Sequence, residues 1–262
     1  MADFKDVVKW LLTTKVFWAG AVAFALLYAM FWQGRDEAVP TAVGVVAERK
    51  IPIYSVETDK KVVALSFDAA WGNEDTEKIL DILKENNVKV TFFMTGEWVE
   101  KFPEDVKKIA KDGHVLGNHS ENHKKMSELS AEDCKEEIMK VHNKVKELTG
   151  VEMEVFRPPY GDYDDKLVNV TYEVGYFPVQ WSIDSLDWKN YGVNSIIETV
   201  VNHKALDNGG IILMHNGSKF TADALQGVID GLKEKGYEFV TIPELIIREG
   251  YVIDHTGKQV KK

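Results

Sequence analysis

The sequence predicts an α/β protein whose parallel strands are joined by helical crossovers, in a barrel or an open doubly wound sheet, preceded by one membrane-spanning helix. Three observations predict it. Short apolar runs alternate with helix-period segments about seven times between residues 61 and 249. Apolar residues make up 45% of the 262-residue chain, enough for a core of barrel size. One stretch near the N-terminus, Val16 to Trp32, carries no charge and no strong polar group.

Residues 1–15 read as a short cytoplasmic segment, because Lys5, Lys9 and Lys15 precede the apolar run. Residues 16–32, VFWAGAVAFALLYAMFW, approach the length of a membrane span, with Trp18, Phe31 and Trp32 near the ends where aromatic rings favour the interface. An uncleaved signal anchor is the preferred reading, with the rest of the chain outside the membrane. A cleaved signal peptide is the alternative, although bulky residues follow the run where a small-x-small site would be needed; a buried helix is the other. Residues 33–60 form a linker with Pro40, Gly44 and Pro52, and one strand or hairpin is expected near Val43 to Tyr54.

From Lys61 the pattern changes. Val62 to Phe67 is a strand. Glu74 to Asn86 repeats apolar residues at helical spacing, with Asn73 as its expected cap. Val90 to Met94 is the next strand, Pro103 to Asp112 a helix ended by Gly113, and Val115 to Asn118 a short strand. Ser130 to Leu148 is a long amphipathic helix stopped at Thr149-Gly150. Val155-Phe156 leads into Arg157, Asp165 to Glu173 is helical, and Phe177 to Ser182 is a strand. A helix over Val193 to Leu206, a strand over Ile211 to Met214, a helix over Thr221 to Lys235, a strand over Tyr237 to Val240 and a short helix over Pro243 to Arg248 complete a domain at residues 61–249. Residues 250–262 read as a polar tail, frayed from Thr256 onward.

The formal net charge of -10 argues against a phosphate-backbone partner, so no nucleic acid is expected. The acidic balance is compatible with a neutral or amine-bearing glycan. The single cysteine, Cys134, excludes an intramolecular disulfide and has no nearby motif that would make it a nucleophile.

Five clusters fall just after predicted strands: Asp68; His119 with His123; Arg157-Pro158-Pro159-Tyr160-Gly161; Asp184 to Trp188; and His215. In an α/β barrel the loops at the carboxyl ends of the strands converge on one face, so residues distant in sequence can share a pocket. Two imidazoles four residues apart, from one turn of helix or a tight loop, can offer two nitrogens to one divalent metal. Taken singly, each cluster has a plain reading as a helix cap, a rigid turn or a surface histidine. Their shared phase with the strands favours a site.

These motifs, Ser66-Phe67-Asp68, His119-Ser120-x-x-His123, Arg157-Pro158-Pro159-Tyr160-Gly161, Asp184-Ser185-Leu186-Asp187-Trp188 and Leu213-Met214-His215, resemble in order those of the NodB-type polysaccharide deacetylases, carbohydrate esterase family four. The resemblance runs from about Lys61 to Arg248, and within the family it is closest to the membrane-anchored, sporulation-associated deacetylases of Gram-positive bacteria. It implies a distorted (β/α) barrel with about seven parallel strands. It also implies hydrolysis of N-acetyl groups on a cell-wall polysaccharide (peptidoglycan or a chitin-like oligomer) at the cell surface or spore envelope. His119 and His123 would hold a divalent metal, zinc before cobalt or nickel. Asp68 would be the base toward the attacking water, with Arg157 beside it. The backbone amide of Tyr160 would stabilise the oxyanion, and His215 would protonate the departing amine with Asp187 fixing its tautomer. Trp188, Leu213 and Pro159 would line the substrate pocket.

One departure matters. The family's first motif usually carries two adjacent aspartates, the second a metal ligand; here Asp68 is followed by Ala69. The third protein ligand is therefore unknown, with Asn118, Asp184, Glu121 and Asn216 as candidates nearby in the motifs. Two other readings stay open: a catalytically weak or inactive glycan-binding protein on a deacetylase scaffold, and an esterase that removes O-acetyl groups from xylan.

Overall fold

The computed structural model describes residues 4–13 and 49–262. The predicted span at Val16–Trp32 and most of the linker lie outside the described residues. Among the described residues no helix is long and apolar enough to cross a membrane. Phe4–Thr13 is a helix. Arg49–Lys262 forms a separate compact unit that carries all the candidate site residues.

That unit is built on a curled sheet in which parallel pairing dominates. Its strands are β1 (Ser55–Val56), β2 (Val62–Ala69), β3 (Thr91–Met94), β4 (Val115–Asn118), β5 (Val155–Phe156), β6 (Phe177–Pro178), β7 (Ile183–Asp184), β8 (Gly210–His215), β9 (Glu238–Phe239), β10 (Tyr251–Ile253) and β11 (Lys258–Lys261). The path runs β10-β11-β1-β8-β2-β3-β4-β5-β6, with β7 on β8 and β9 on β2. Every pairing among β2 to β9 is parallel. Helices connect these strands, as parallel pairing requires. Ile53 pairs with Val179 just past β6, while Ser55 two residues on pairs with Gly210 of β8, so one extended segment touches both ends of the curl.

β2 explains the core. All eight of its residues are buried, as expected for a central parallel strand covered on both faces. Side chains alternate along it. Val63, Leu65, Phe67 and Ala69 join the large cluster shared with the helices. Val62 and Ala64 join a smaller cluster drawn from five strands and the turn Ile242–Ile246, with no residue of the longer crossover helices. Ser66 and Asp68 share that inner face at its far end.

Several predicted elements differ from those observed. The helix expected from Glu74 begins at Thr76, and Asn73 donates to Asp105 (2.7 Å) instead of capping it. A helix at Gly96–Lys101, capped by the Thr95 side chain, has no apolar period long enough to betray it. The strand expected over Phe177–Ser182 stops at Pro178, Val179 keeps only an isolated bridge to Ile53, and a new strand starts at Ile183; the helix expected to Leu206 ends at Val201. The residues read as a frayed tail are ordered: β11 runs parallel to β1 and pairs with β10. Its polarity concealed this. Gln259 is fully buried and exchanges two 2.7 Å hydrogen bonds with the Ile247 backbone, so backbone pairing and an amide do what apolar residues usually do.

Candidate active site

The carboxyl ends of β2, β4, β5, β7 and β8 open on one cleft of roughly 500 Å³. Asp68, Ala70, Trp71, His119, His123, Tyr160, Trp181, Asp184, Trp188, Leu213 and His215 line it. The predicted clusters therefore meet. Pro159 is buried in the turn beneath Tyr160 and does not line the cleft.

One side of the cleft is organised by Arg157, which is fully buried. Its Nη1 donates to Asp68 Oδ1 at 2.7 Å, and Nη2 donates to Ser66 Oγ (2.9 Å) and to the Gln180 carbonyl (3.2 Å). The guanidinium lies 4.0 Å from the Phe93 ring centroid. Gly117 makes room for that ring, since a Cβ there would sit 2.6 Å from it. The Arg157 carbonyl accepts from His119 Nδ1 at 2.7 Å. A carbonyl only accepts, so the proton of neutral His119 is on Nδ1 and Nε2 carries a lone pair. That lone pair faces Asp68 Oδ2 at 3.4 Å.

His123 comes from a tight loop, not a helix. Ser120 and His123 both have left-handed φ angles (65° and 50°), and the Ser120 hydroxyl accepts from the His123 amide at 3.1 Å. The two imidazole centroids are 4.9 Å apart, and the Tyr160 ring, on a residue with φ 60°, lies 4.5 Å from His123.

Charge settles differently across the cleft. Burial works against ionising Asp68, but Arg157, then His119 and His215, outweigh it and hold its pKa below the ordinary carboxylate value. Burial keeps His119 neutral and pushes His123 down to about 4, with His119 adding to the effect. On the other side, buried Asp187 accepts from His215 Nδ1 at 2.7 Å, from the His215 amide (2.7 Å), the Thr221 hydroxyl (2.6 Å) and the Trp188 amide (2.8 Å). Burial opposes protonation of His215, yet the hydrogen bond and charge of Asp187, helped by Asp68 and Asp184, raise its pKa.

The donor chemistry fits a cation in part. Two acceptors, Asp68 Oδ2 and His119 Nε2, face each other, an arrangement a positive ion relieves. Neutral His119 and His123 are in ligating form. Among the described residues, however, no group of three or more His, Cys, Asp or Glu side chains is arranged to hold a metal ion. Ala69 is fully buried and offers only a methyl. Three candidates for the missing ligand lie outside the cleft lining. Asn118 donates to the Ile138 carbonyl (2.8 Å) and accepts from the Ser120 amide, Glu121 pairs with Lys144, and Asn216 donates to Thr76 (2.9 Å). Asp184 alone of the four lines the cleft, with Oδ1 accepting from the Leu186 amide.

Sequence reasoning gave no role to Ser66, Trp71 or Trp181. Ser66 was legible only as part of the Ser66-Phe67-Asp68 motif, a small polar residue in an apolar strand. Trp181 lies under the Arg157 guanidinium (5.7 Å to the centroid), and Trp71 in the cleft wall carried no signal beyond a tryptophan in a loop after a strand.

Residues 55–179 match the polysaccharide deacetylase family. A peptidoglycan-N-acetylglucosamine deacetylase of Bacillus cereus is 38% identical over 196 residues, which cover 73% of this chain and 70% of that protein. The chain belongs to the polysaccharide deacetylase family. Another relative, YlxY of Bacillus subtilis, is 40% identical over 195 residues, covering 74% of this chain but 60% of YlxY. Among solved structures the deacetylase domain resembles BA3943, described as a family-four carbohydrate esterase pseudoenzyme from Bacillus anthracis (TM-score 0.71, 31% identity, covering 80% of this chain and 73% of that one). It resembles equally a BA3943 mutant described as having restored enzymatic activity (TM-score 0.71, 36% identity, 74% and 70% covered).

Proposed function

We propose that this deacetylase-family protein removes N-acetyl groups from amino sugars of a cell-wall polysaccharide, peptidoglycan before chitin-like oligomers. One observation carries the reading: an ionised Asp68 clamped by Arg157 and a proton-bearing His215 clamped by Asp187 line the same cleft. The relatives named as peptidoglycan deacetylases favour the substrate.

In this reading Asp68, with Oδ1 held by Arg157, uses Oδ2 to accept a proton from the attacking water. The depressed pKa keeps it ionised at neutral pH but makes it a weak base. The acetyl methyl sits against Leu213 and Trp188. The Tyr160 turn, pinned in a left-handed conformation, presents its backbone N–H toward the acyl oxygen. His215 holds its transferable proton on Nε2, because Nδ1–H is committed to Asp187, and gives it to the departing amine. His119 and His123 would hold a divalent ion, zinc by donor type, which supplies Lewis-acid polarisation of the acyl group when bound. The extracellular placement of the domain, through an anchor at residues 16–32, is part of the same proposal.

The test is acetate release from peptidoglycan and from N-acetylglucosamine oligomers, with zinc, cobalt or nickel added. Turnover abolished by Asp68→Asn is expected. A second reading, glycan binding without turnover, is favoured by Ala69 and by the likeness to a pseudoenzyme. Folded protein that binds these glycans and releases no acetate with any of the three metals would select it.

A further inference from the structure

We infer that Trp71 is a positioning residue for His215: its indole lies flat on the imidazole and holds that ring in register with Asp187, so that Nε2 is presented to the cleft. The reaction that His215 serves rests on the deacetylase reading; the positioning itself does not.

The two rings stack with centroids 5.1 Å apart and planes 18° from parallel. Trp71 is 47% exposed. A ring that large left half in water has little to do with the core. It is nonetheless held firmly, because its backbone belongs to a latch between two loops. The Gly72 carbonyl accepts from Trp98 Nε1 (3.1 Å) and Asn216 Nδ2 (3.4 Å). Asn216 Nδ2 also donates to Thr76 Oγ1 (2.9 Å), and Asp75 Oδ1 accepts from the Gly217 amide (2.7 Å). At Gly217 a Cβ would lie 2.9 Å from the Gly72 nitrogen, so only glycine lets the two loops approach this closely, and its φ of 75° suits glycine too. The loop after β2 and the loop after β8 are thus one unit, and that unit fixes the distance between the indole and the imidazole.

Nothing in the latch uses the indole. Removing the ring leaves the loop connections in place and takes away only the cover on His215. Two physical effects follow. The indole blocks rotation of the imidazole out of the plane in which Nδ1–H meets Asp187, and its π face attracts the imidazolium. The charged and titratable groups facing His215 are Asp187, Asp184 and Asp68, with His119 and His123 across the cleft.

The test compares full-length wild type, Trp71→Ala and Trp71→Phe in chelator-treated samples. The His215 ring is followed by NMR titration and turnover is measured separately with metal. Trp71→Ala is expected to lower the His215 pKa by about half a unit. It should also reduce kcat on the order of tenfold with KM changed less than twofold. Trp71→Phe should recover most of both. An unchanged titration and unchanged kcat in Trp71→Ala would overturn the inference. So would a rise in KM alone, which would make Trp71 a sugar platform. A titration shift in a protein that turns over no glycan would uphold the positioning and remove the deacetylase reading.

Discussion

The cleft holds two histidine–carboxylate pairs that behave in opposite ways. His119 faces Asp68 at 3.4 Å and stays neutral; His215 meets Asp187 at 2.7 Å and is more readily protonated than a free histidine. Burial opposes protonation of both rings, and the third partner decides whether the carboxylate overcomes it. The charge of Asp68 is already taken by the Arg157 guanidinium, and the His119 proton points the other way, to a carbonyl. Asp187 has only uncharged donors besides His215, namely a hydroxyl and two backbone amides, so its field falls on the imidazole. Two identical residue types thus become a metal-ligand candidate on one side and a proton-donor candidate on the other, through burial and neighbours.

The largest expected effect comes from breaking the first pair. Arg157→Met leaves Asp68 buried without its cation, and removing one partner of a buried ion pair costs about 3–5 kcal/mol. Urea unfolding should read that loss, and adding Asp68→Asn to Arg157→Met should restore more than half of it. Simple additivity of the two substitutions would mean that Asp68 does not depend on Arg157. The second pair is broken with less damage to the fold. Asp187→Asn keeps the shape and removes the charge, and kcat should fall about 10²–10⁴-fold while the His215 pKa drops. If kcat held within a few-fold, His215 would not be the proton donor.

How much of this was legible depended on range. Strand and helix identity rests on local period, and Val115–Asn118 and Asp165–Glu173 have the bounds read from the sequence. The gathering of Asp68, His119, Arg157, Asp187 and His215 was legible because each lies at the end of an expected strand or in the loop that follows it, and such loops share one face. What stayed hidden depends on contacts across the curl. Ser66 reaches Arg157 over 91 residues of sequence, and Asn216 reaches Thr76 over 140. Glu121, two residues from His119, was a reasonable ligand candidate, but the loop turns it against Gly96 and Lys144 instead. The polar β11 was invisible for a related reason: its stabilisation is backbone pairing with β1, where Ser55 meets Lys258 from the far end of the chain, which side-chain pattern does not encode.

A third substitution tests how far the first pair falls short of a metal centre. Ala69 is fully buried, in the same apolar cluster as Phe67 and Met94. Ala69→Asp should therefore lower the stability of the metal-free protein by about 1–3 kcal/mol, since a carboxylate replaces a buried methyl. It should also tighten zinc binding at least about tenfold by adding an anionic ligand beside two imidazoles. Thermal unfolding with and without zinc reads both: a lower Tm without the ion and a larger zinc-induced rise. A variant that loses stability and gains no zinc affinity would place the third ligand elsewhere, with Asp184 in the cleft wall as the next residue to replace.

The smallest effect is on stability as a function of pH, and its sign differs between the two pairs. For His119 and His123 the folded pKa lies below the unfolded value, so the unfolded chain binds the extra proton and stability falls as pH drops from about 6.5 toward 4. For His215 the folded pKa lies above the unfolded value. Its stabilisation is complete below about 6.5 and disappears as pH rises through the raised folded pKa. Stability attributable to the site should therefore peak near the ordinary histidine pKa. Because the His123 ring is partly exposed, its share of the acid slope should be about 1–2 kcal/mol after solvent screening. Urea unfolding across pH 4–8, on chelator-treated protein, should show His123→Asn flattening the acid limb only and Asp187→Asn flattening the alkaline limb only. If either substitution flattened both limbs, the two pairs would be one coupled titrating system and the contrast between them would fail.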